Sequence, residues 1–386
     1  MVESRRYTDP DLLINTHSVS LFLLPCEILG LRHSCTSVFL SMTYVFERLD
    51  LTIDDWSAKL KAGTVYQTPA WLAFLSATQH GEPVVAVLKD GNSSIGYFTG
   101  MIIRKAGFRI LGSPFPGWTT DYMGLSLSPC TNRRAVVRAL INFAFQELRC
   151  VHLEVMDRNV TMSDLDGLAV QHRVYRGFEI DLTTGEDELF ARMTSACRRC
   201  VRKAEKAGIV VEQAHALHFA DEYYAQLQDV FAKQGRLPTY NIERVQQLIK
   251  HMLPTGHLLL LRARDREGRC IATAIFPHMN GVMYFWGGAS WRASQGLRPN
   301  EAIQWEAMKI GKRSGLRTYD MGGGGEYKRK YGGVEIQVPW FRKSKYPWLR
   351  YMRELAEHSH RLRHQCFGRL HAAFGAPGRN SRSSVR

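Results

Sequence analysis

The stretch PNEAIQWEAMKIGKRSGLRTYDMGGGG, residues 299–325, joins a helix pattern to a strand pattern and ends in four consecutive glycines. Apolar residues recur at helical spacing up to Gly315, which predicts a helix that ends at this glycine. Residues 316–321 then predict a strand. Consecutive glycines allow positive φ values and a close approach of the backbone to a ligand, so the exit of this strand is a candidate functional site.

The same order of elements occurs twice along the chain. Two amphipathic helices and the strand patterns HLLLLRARD, CIATAIFPH and VMYFWGGAS precede the helix at 299, with turn signals between the strands. Residues 69–156 show a helix, an antiparallel three-strand meander, a helix and a strand, in the same order as residues 219–321. We therefore predict a duplicated α/β fold in which residues 172–218 link the two repeats.

Length and charge limit the classes of function. The chain has 386 residues, of which 45% are hydrophobic, and this is enough for large hydrophobic cores. A net charge of +15 points to anionic partners. Residues 342–386 carry eleven Lys or Arg against two Asp or Glu, so the rest of the chain is only mildly basic. We predict that this basic tail makes peripheral contact with an anionic membrane.

The cysteines and the N-terminus bear on the compartment. Only Cys197 and Cys200 form a C-x-x-C pair, and no second pair completes a structural zinc site. We expect a reducing, cytoplasmic location, no metal site and no tightly bound cofactor. Residues 18–31 are apolar but too short to span a bilayer, with a cleaved signal peptide as the alternative. Globular patterning begins near Met42, so residues 1–41 are predicted to be an N-terminal extension outside the folded part.

Residues 193–208, MTSACRRCVRKAEKAG, predict a helix with two unlike faces. Small apolar side chains fall on one arc and suit close packing, while basic side chains fall on the other. The basic face predicts a clamp for a phosphate or diphosphate group, and a solvated surface is the alternative. The basic residues are Arg198, Arg199, Arg202, Lys203 and Lys206.

The glycine run does not match a nucleotide-binding loop. The P-loop pattern fails because Lys328 is followed by Arg329, and the G-x-G-x-x-G pattern fails at residues 327 and 328. The remaining interpretation is a flexible loop that carries Lys328 back over the strand end at Asp320, with a simple hinge as the alternative. The chain also lacks the G-x-S-x-G of serine hydrolases and the H-E-x-x-H of zincins.

Several stretches together resemble the FemAB/CelD-like acyltransferases, a branch of the GNAT superfamily. They are YQTPAWLAF, DYMGL, CRRCVRKAEKAGIVVE, the segment from GGASWRASQGLRPNEAIQW to YDMGGGG, and YKRKYGG, within residues 64–339. The resemblance implies a duplicated GNAT-like fold with two mixed, mainly antiparallel sheets flanked by helices. The two units are expected at residues 42–171 and 172–341, and the second is expected to be the acyltransferase core.

The resemblance implies transfer of an acyl or aminoacyl group to an amine. The donor is acyl-CoA in some members and aminoacyl-tRNA in others. The implied acceptor is a phosphorylated or sugar-linked amine of a sugar, peptide or cell-envelope precursor. The loop before the helix departs from the R-x-x-G-x-[GA] pyrophosphate pattern at Ala293 and Arg298, and residues 219–252 are too short for the coiled-coil arm of many tRNA-using members. Both donors therefore stay open, with acyl-CoA as the expected co-substrate.

Candidate site residues follow from the resemblance and from side-chain chemistry. Lys328, within YKRKYGG, takes the position of the family's substrate-contacting lysine and is expected to stabilise negative charge at the acyl centre. Asp320 is expected to act as a base or an orienting group. Residues near predicted strand and helix ends are candidate substrate contacts, with a core role as the alternative for the aromatic ones. They are Trp71, Tyr122, Tyr284, Trp291, Arg298 and Asn300.

A second hypothesis comes from another class of function. The fold could serve a non-catalytic binding protein whose basic face holds an anionic polymer or nucleic acid. An enzyme should release thiol from acyl-CoA, or deacylate a charged tRNA, when an amine is present. A binding protein should show a steep salt dependence and no turnover.

Overall fold

The computed structural model describes residues 44–51, 63–232, 235–353 and 355. The predicted N-terminal extension, the predicted start of globular structure at Met42 and the part of the predicted tail beyond residue 355 lie outside the described residues.

The first repeat begins with an edge strand and a capped helix. The Thr68 side chain accepts a hydrogen bond from the backbone N–H of Trp71, and Pro69 takes the first helical position, as its fixed φ favours. The elements are β1 (Tyr44–Arg48), α1 (Pro69–Gln79), β2 (Glu82–Asp90), β3 (Ser93–Lys105), β4 (Phe108–Ser113), β5 (Leu125–Leu127), α2 (Arg133–Asn142) and β6 (His152–Met156).

The second repeat follows a linking region. The linker holds α3 (Met162–Leu165), β7 (Gln171–Asp181), α4 (Glu186–Arg192) and the basic helix α5 (Ser195–Lys206). The repeat itself comprises β8 (Val210–Ala214), α6 (Phe219–Ala232), α7 (Ile242–Met252), β9 (Leu258–Arg264), β10 (Cys270–Met279), β11 (Val282–Tyr284), β12 (Gly287–Ser290), α8 (Pro299–Arg313) and β13 (Thr318–Gly323). A last strand, β14 (Val334–Ser344), comes after it.

Each repeat is an antiparallel meander that ends in one parallel strand pair. Strands β1 to β4 pair antiparallel in sequence order, as do β8 to β11. Strand β4 pairs in parallel with β6, and β11 pairs in parallel with β13. The connections that lead to these parallel partners contain α2 and α8. The predicted duplicated α/β fold, with mixed sheets and flanking helices, is confirmed.

The two half-sheets are joined by an exchange of strands. Strand β7 follows the first repeat along the chain but pairs with β13 of the second, while β14 follows the second repeat but pairs with β6 of the first. Because β7 and β14 also pair with each other, the path β1-β2-β3-β4-β6-β14-β7-β13-β11-β10-β9-β8 is continuous. Strand β14 continues to Ser344, so the first three residues of the predicted tail at 342–386 belong to the sheet.

Strand β13 presents different side chains to the two faces of the sheet. Tyr319 and Met321 pack in one core together with residues of α5 and α8. Asp320 points to the other face, where its register partner Tyr284 packs with residues of α1 and α7. Within the described part of the chain, no helix combines the length and the apolarity that a bilayer-spanning segment needs.

Candidate active site

A strained loop between β4 and β5 carries the first residues of the site. Thr119 and Tyr122 have φ values of +48° and +28°, which non-glycine residues seldom adopt. The Trp71 indole donates to Thr120 Oγ1 at 3.2 Å, and Arg244 of α7 donates to Thr119 Oγ1 at 3.3 Å and to the carbonyl oxygen of Trp118. These contacts from both repeats offset the strain and fix the loop in one conformation.

The exit of β13 supplies the second part. The register of β13 against β7 shifts between Asp320 and Gly323, and Gly322 has a φ of +68°. Asp320 Oδ1 accepts a hydrogen bond from the backbone N–H of Gly322 at 2.7 Å. Residues Glu326–Tyr331 form a 3-10 helix that returns Lys328 to the strand end, where Nζ donates to the carbonyl oxygens of Met321 at 2.5 Å and Gly323 at 2.7 Å.

The two parts meet around Gly322. A methyl group placed on Gly322 would lie 3.5 Å from Asp121 Oδ2 and 3.9 Å from Lys328 Nζ. We call Asp121, Tyr122, Tyr284, Asp320 and Lys328 the junction cluster, because both repeats contribute to it. Lys328 uses two of its three N–H bonds on backbone carbonyls, so one remains for another acceptor.

Burial sets the ionisation of the junction cluster. Burial raises the pKa of Asp320 to about 7, and the charge of Asp121 acts in the same direction. Burial also raises the pKa of Asp121 to about 6, against the opposing charge of Lys328. The pKa of Lys328 is lowered by burial, against the pull of both carboxylates. Two carboxyl groups with pKa values near neutrality are suited to accept a proton at physiological pH.

The cluster also holds buried polar atoms without partners. Asp320 has no exposed surface and Tyr122 is 3% exposed. Among the described residues, neither Asp320 Oδ2 nor the Tyr122 hydroxyl has a hydrogen-bond partner. Burial, and next the charge of Asp320, raises the pKa of Tyr122, so its hydroxyl stays protonated. An unpaired buried polar group costs stability and commonly marks a functional site.

A cleft opens where strands of the second repeat diverge. Strand β11 pairs with β13 only up to Tyr284, and the following β12 pairs with β10 alone. This strand cleft, lined by residues of β10, β12, α8 and the 3-10 helix at Glu326–Tyr331, has a volume of about 240 Å³. Asn300 donates to Ser290 Oγ at 3.0 Å, and Lys330 Nζ lies 2.8 Å from Glu301 Oε1. The residues that line the cleft include Thr273, Ser290, Asn300, Glu301, Gln304, Tyr327 and Lys330.

The basic helix lies as predicted, with its charged face outward. Cys197, Val201 and Ala204 are buried. Arg202 also stacks over the Phe190 ring at 5.2 Å. Arg198 is the exception, because it turns inward and donates to the carbonyl oxygens of Ala191 at 2.7 Å and Met193 at 2.6 Å. The four predicted phosphate contacts are all exposed: Arg199, Arg202, Lys203 and Lys206.

The other predicted substrate-contact residues lie in different parts of the structure. Tyr122 and Tyr284 belong to the junction cluster, and Asn300 lines the strand cleft. Trp71 is fully buried between the Tyr66 and Phe74 rings, where it supports the strained loop. Trp291 is 37% exposed and lines a separate cavity, and Arg298 is an exposed residue with a φ of +66° directly before α8. The structure therefore does not bring all of these residues together.

Asp121 is the main residue that sequence reasoning missed. It lies in DYMGL, one of the stretches that resemble the family, but it is not among the candidate site residues of the sequence analysis. A signal was present, since Asp121 is the only charged residue between Arg109 and Arg133. In a loop of otherwise aromatic, small and glycine residues, a lone carboxylate is a strong candidate for a functional residue.

Comparison with known proteins finds a match to one family model and similarity in fold to solved structures. Residues 191–330 match the family model of the acetyltransferase (GNAT) domain. No curated protein is significantly similar to the chain in sequence. The fold is similar to the crystal structure of FemX, with a TM-score of 0.63, 13% identity, and coverage of 76% of this chain and 96% of that chain.

Two further solved structures are similar to a lesser degree. L-PGS from Bacillus licheniformis has a TM-score of 0.46, 11% identity, and coverage of 74% of this chain and 93% of that one. A tandem GNAT protein from the clavulanic acid biosynthesis pathway has a TM-score of 0.48, 11% identity, and coverage of 79% and 99%. The FemX likeness shows the fold, and with the GNAT domain match it confirms the predicted FemAB-like GNAT resemblance.

Proposed function

We propose that the chain is a GNAT-type N-acyltransferase, which transfers an acyl or aminoacyl group to an amine of a sugar, peptide or cell-envelope precursor. The observation that carries the proposal is the convergence of Asp121 and Lys328 on Gly322, at the end of β13. Asp121 accepts the proton of the attacking amine. Lys328 stabilises the negative charge that develops on the acyl oxygen.

The proposed reaction needs few groups from the protein. The amine nitrogen attacks the carbonyl carbon, a C–N bond forms, and the carbonyl oxygen takes up negative charge. The free N–H of Lys328 donates to this oxygen. The amine proton passes to Asp121, and collapse of the intermediate breaks the bond to the thiolate or alkoxide leaving group. The leaving group then takes up this same proton, so that Asp121 returns to the carboxylate form.

Asp320 has a different role in this proposal. It has no exposed surface, whereas Asp121 is partly exposed, so Asp121 is the carboxylate that an incoming amine can meet. Asp320 fixes the strand exit through its hydrogen bond to the N–H of Gly322. It therefore positions the strand exit at Gly322, which Asp121 and Lys328 both approach.

We propose acyl-CoA as the donor, held in the strand cleft. Among the described residues, β12 pairs with β10 alone, so the backbone groups of its other edge can bind an extended amide-containing chain. The cleft also offers Ser290 and Asn300 as polar contacts. The N-terminus of α8 lies at the cleft and favours an anionic group. Both acyl-CoA and the alternative donor, aminoacyl-tRNA, are cytoplasmic molecules, so the predicted cytoplasmic location is part of this proposal.

A donor assay tests the proposal directly. The protein is incubated with acyl-CoA and a panel of amino sugars and amine-bearing peptides, and free thiol is measured; a parallel reaction follows deacylation of charged tRNA. Thiol release that depends on the amine is the expected result. If only charged tRNA is deacylated in an amine-dependent way, the donor is aminoacyl-tRNA and not acyl-CoA. If neither donor is turned over and the protein binds an anionic polymer, the hypothesis of a non-catalytic binding protein is favoured.

The basic face of α5 is proposed to hold a phosphorylated part of a substrate. Replacement of Arg199, Arg202 and Lys203 with Gln should raise the KM for that substrate and leave kcat and the melting temperature nearly unchanged, because all three side chains are exposed. Steady-state kinetics at low ionic strength provides the measurement. Replacement of the exposed Arg134 and Arg138 of α2 with Gln is the control. If both variants raise the KM equally, the effect comes from the overall charge of the protein and not from a phosphate site on α5.

A further inference from the structure

The chain turns back onto the sheet after β14 through a helical segment, residues 347–353. Arg353 anchors the segment, because its guanidinium donates to Gln171 Oε1 at 2.9 Å and lies 3.7 Å from Glu154 Oε1. With Arg353 turned to the protein body, the side chains at 348, 351, 352 and 355 face away from it. This i, i+3, i+4, i+7 spacing is that of one helix face.

That outward face is apolar and open to solvent. Trp348 is 50% exposed, Tyr351 69%, Met352 57% and Leu355 63%. These values are high for large apolar side chains that stand side by side on one helix face. A contiguous exposed apolar patch of this kind marks an interaction site.

Two more aromatic rings extend the patch beyond the helical segment. The ring of Phe108, the first residue of β4, packs edge-on against Trp348 with 5.9 Å between centroids. The Tyr346 ring stacks on Trp348 with 6.4 Å between centroids. We call these six residues the aromatic surface: Phe108, Tyr346, Trp348, Tyr351, Met352 and Leu355.

The charged residues near the aromatic surface in sequence are mostly basic. Arg104 and Lys105 are exposed on the strand end and turn that lead to Phe108, and Lys345 Nζ lies 5.8 Å from the Tyr346 ring centroid. In sequence, residues 104–108 and 345–355 contain five Lys or Arg against one acidic residue, Glu354. The neighbourhood is thus complementary to an anionic surface.

We propose that the aromatic surface docks the protein onto an anionic lipid bilayer. Trp and Tyr favour the headgroup region, where their rings are buried and their polar atoms stay hydrated. Nearby Lys and Arg are attracted to anionic lipids. Met352 and Leu355 favour a bilayer over a nucleic acid, because aliphatic side chains gain little beside phosphates or bases and much at the acyl boundary. This inference does not depend on the proposed acyl transfer.

Vesicle flotation with the full chain tests the inference. Vesicles of phosphatidylcholine with about one third phosphatidylglycerol, and vesicles of phosphatidylcholine alone, are compared at about 0.1 M salt. We expect clear binding to the anionic vesicles and much weaker binding to the neutral ones. Replacement of Trp348, Tyr351 and Leu355 with Ser should lower the affinity for anionic vesicles by about tenfold or more, since the apolar area that enters the interface is lost.

Matched variants distinguish binding through the aromatic surface from nonspecific effects of net charge and of exposed apolar side chains. Leu237→Ser removes another exposed apolar side chain, 84% exposed, and should leave binding unchanged. Lys105→Glu and Lys345→Glu should each lower the affinity for anionic vesicles by at least about fivefold, which is the contribution of about one basic residue near such a membrane. Circular dichroism confirms that each variant is folded.

Three results would overturn the inference. Unchanged binding of the triple Ser variant would place the membrane contact elsewhere, such as the basic tail alone. Equal binding to neutral and anionic vesicles would show that charge complementarity does not contribute to the binding. A concentration-dependent dimer that the triple Ser variant loses, without vesicle binding by the parent chain, would identify a second copy as the occupant of this surface.

Discussion

Asp121→Asn should lower kcat/KM by about a hundredfold or more at pH 7.5 and remove the acid limb of its pH profile. Loss of a general base commonly costs two to four orders of magnitude. Burial raises the pKa of Asp121 to about 6, so the activity of the parent enzyme should rise with pH around this value as the carboxylate forms. An Asn at this position cannot accept the amine proton at any pH. Steady-state kinetics between pH 5 and pH 9 provides the measurement.

Asp320→Asn is the matched control, because Asp320 also has a raised pKa, of about 7. A carboxyl group whose pKa is raised on folding stabilises the native state below its unfolded pKa. That contribution is lost as the pH rises to the folded pKa, here between about 4 and about 7. Removal of the carboxylate should therefore raise the melting temperature at pH 8 by several degrees and leave it nearly unchanged at pH 4, since each pKa unit is worth about 1.4 kcal/mol.

The two carboxylate variants separate the roles that we propose. Asp320→Asn keeps an oxygen that can accept from the N–H of Gly322, so the strand exit should stay in place and the acid limb should persist. If Asp320→Asn abolishes the acid limb while Asp121→Asn retains it, then Asp320 is the base and the substrate reaches the buried side of the sheet. If both variants keep the limb, the titrating group lies outside the junction cluster.

The repeated element order was predictable because it rests on local patterns. Thr68 and Pro69 mark the start of α1, Gly315 lies just beyond α8, and short turn signals separate the meander strands. The strand exchange was not predictable in this way. Residues 171–181 and 334–344 both look like ordinary strands, and their partners are chosen by packing between segments far apart in sequence.

The candidate site was predictable where one segment builds it. Asp320, the glycines and Lys328 lie within nine residues, so the return of the lysine over the strand end follows from a short flexible tether. Asp121 enters the site from the other repeat, nearly 200 residues away, through the strained loop. Its pKa depends on burial and on Lys328, and neither can be read from a linear sequence.

The predicted aromatic contacts illustrate the same limit. An aromatic residue near a strand or helix end suits a binding wall and a core equally well. Trp71 lies wholly in the core and acts on the site only through its hydrogen bond to Thr120. Tyr122 reaches the junction cluster because its backbone adopts a positive φ, which no residue preference would indicate for a tyrosine.

Lys328→Met should lower kcat by roughly a hundredfold or more, as the loss of one donor to a developing oxyanion typically does. KM should change far less, because the interaction strengthens only as negative charge develops in the transition state. The structure adds a second effect. Nζ also pairs the carbonyl oxygens of Met321 and Gly323, and an unpaired buried polar group costs about 1–3 kcal/mol, so the melting temperature should fall as well.

Tyr175→Phe separates loss of charge from loss of loop structure. The backbone N–H of Gly323 hydrogen-bonds the Tyr175 hydroxyl, so this variant loosens the same loop and keeps the lysine. We expect a lower melting temperature with kcat within about threefold of the parent, because the variant loses one hydrogen bond that lies away from the reacting atoms. An equal loss of kcat in Tyr175→Phe and Lys328→Met would assign the effect to loop geometry.

Lys330 provides the last comparison. Lys330 pairs with Glu301, which is only 8% exposed, within the strand cleft. Removal of the lysine alone leaves a nearly buried carboxylate unpaired and should destabilise the protein. The double variant Glu301→Gln/Lys330→Met removes both charges, so it should retain kcat and mainly change the KM of the donor. If the double variant loses kcat while Lys328→Met keeps it, the catalytic cation is Lys330 and the alignment with the family lysine is displaced by two residues.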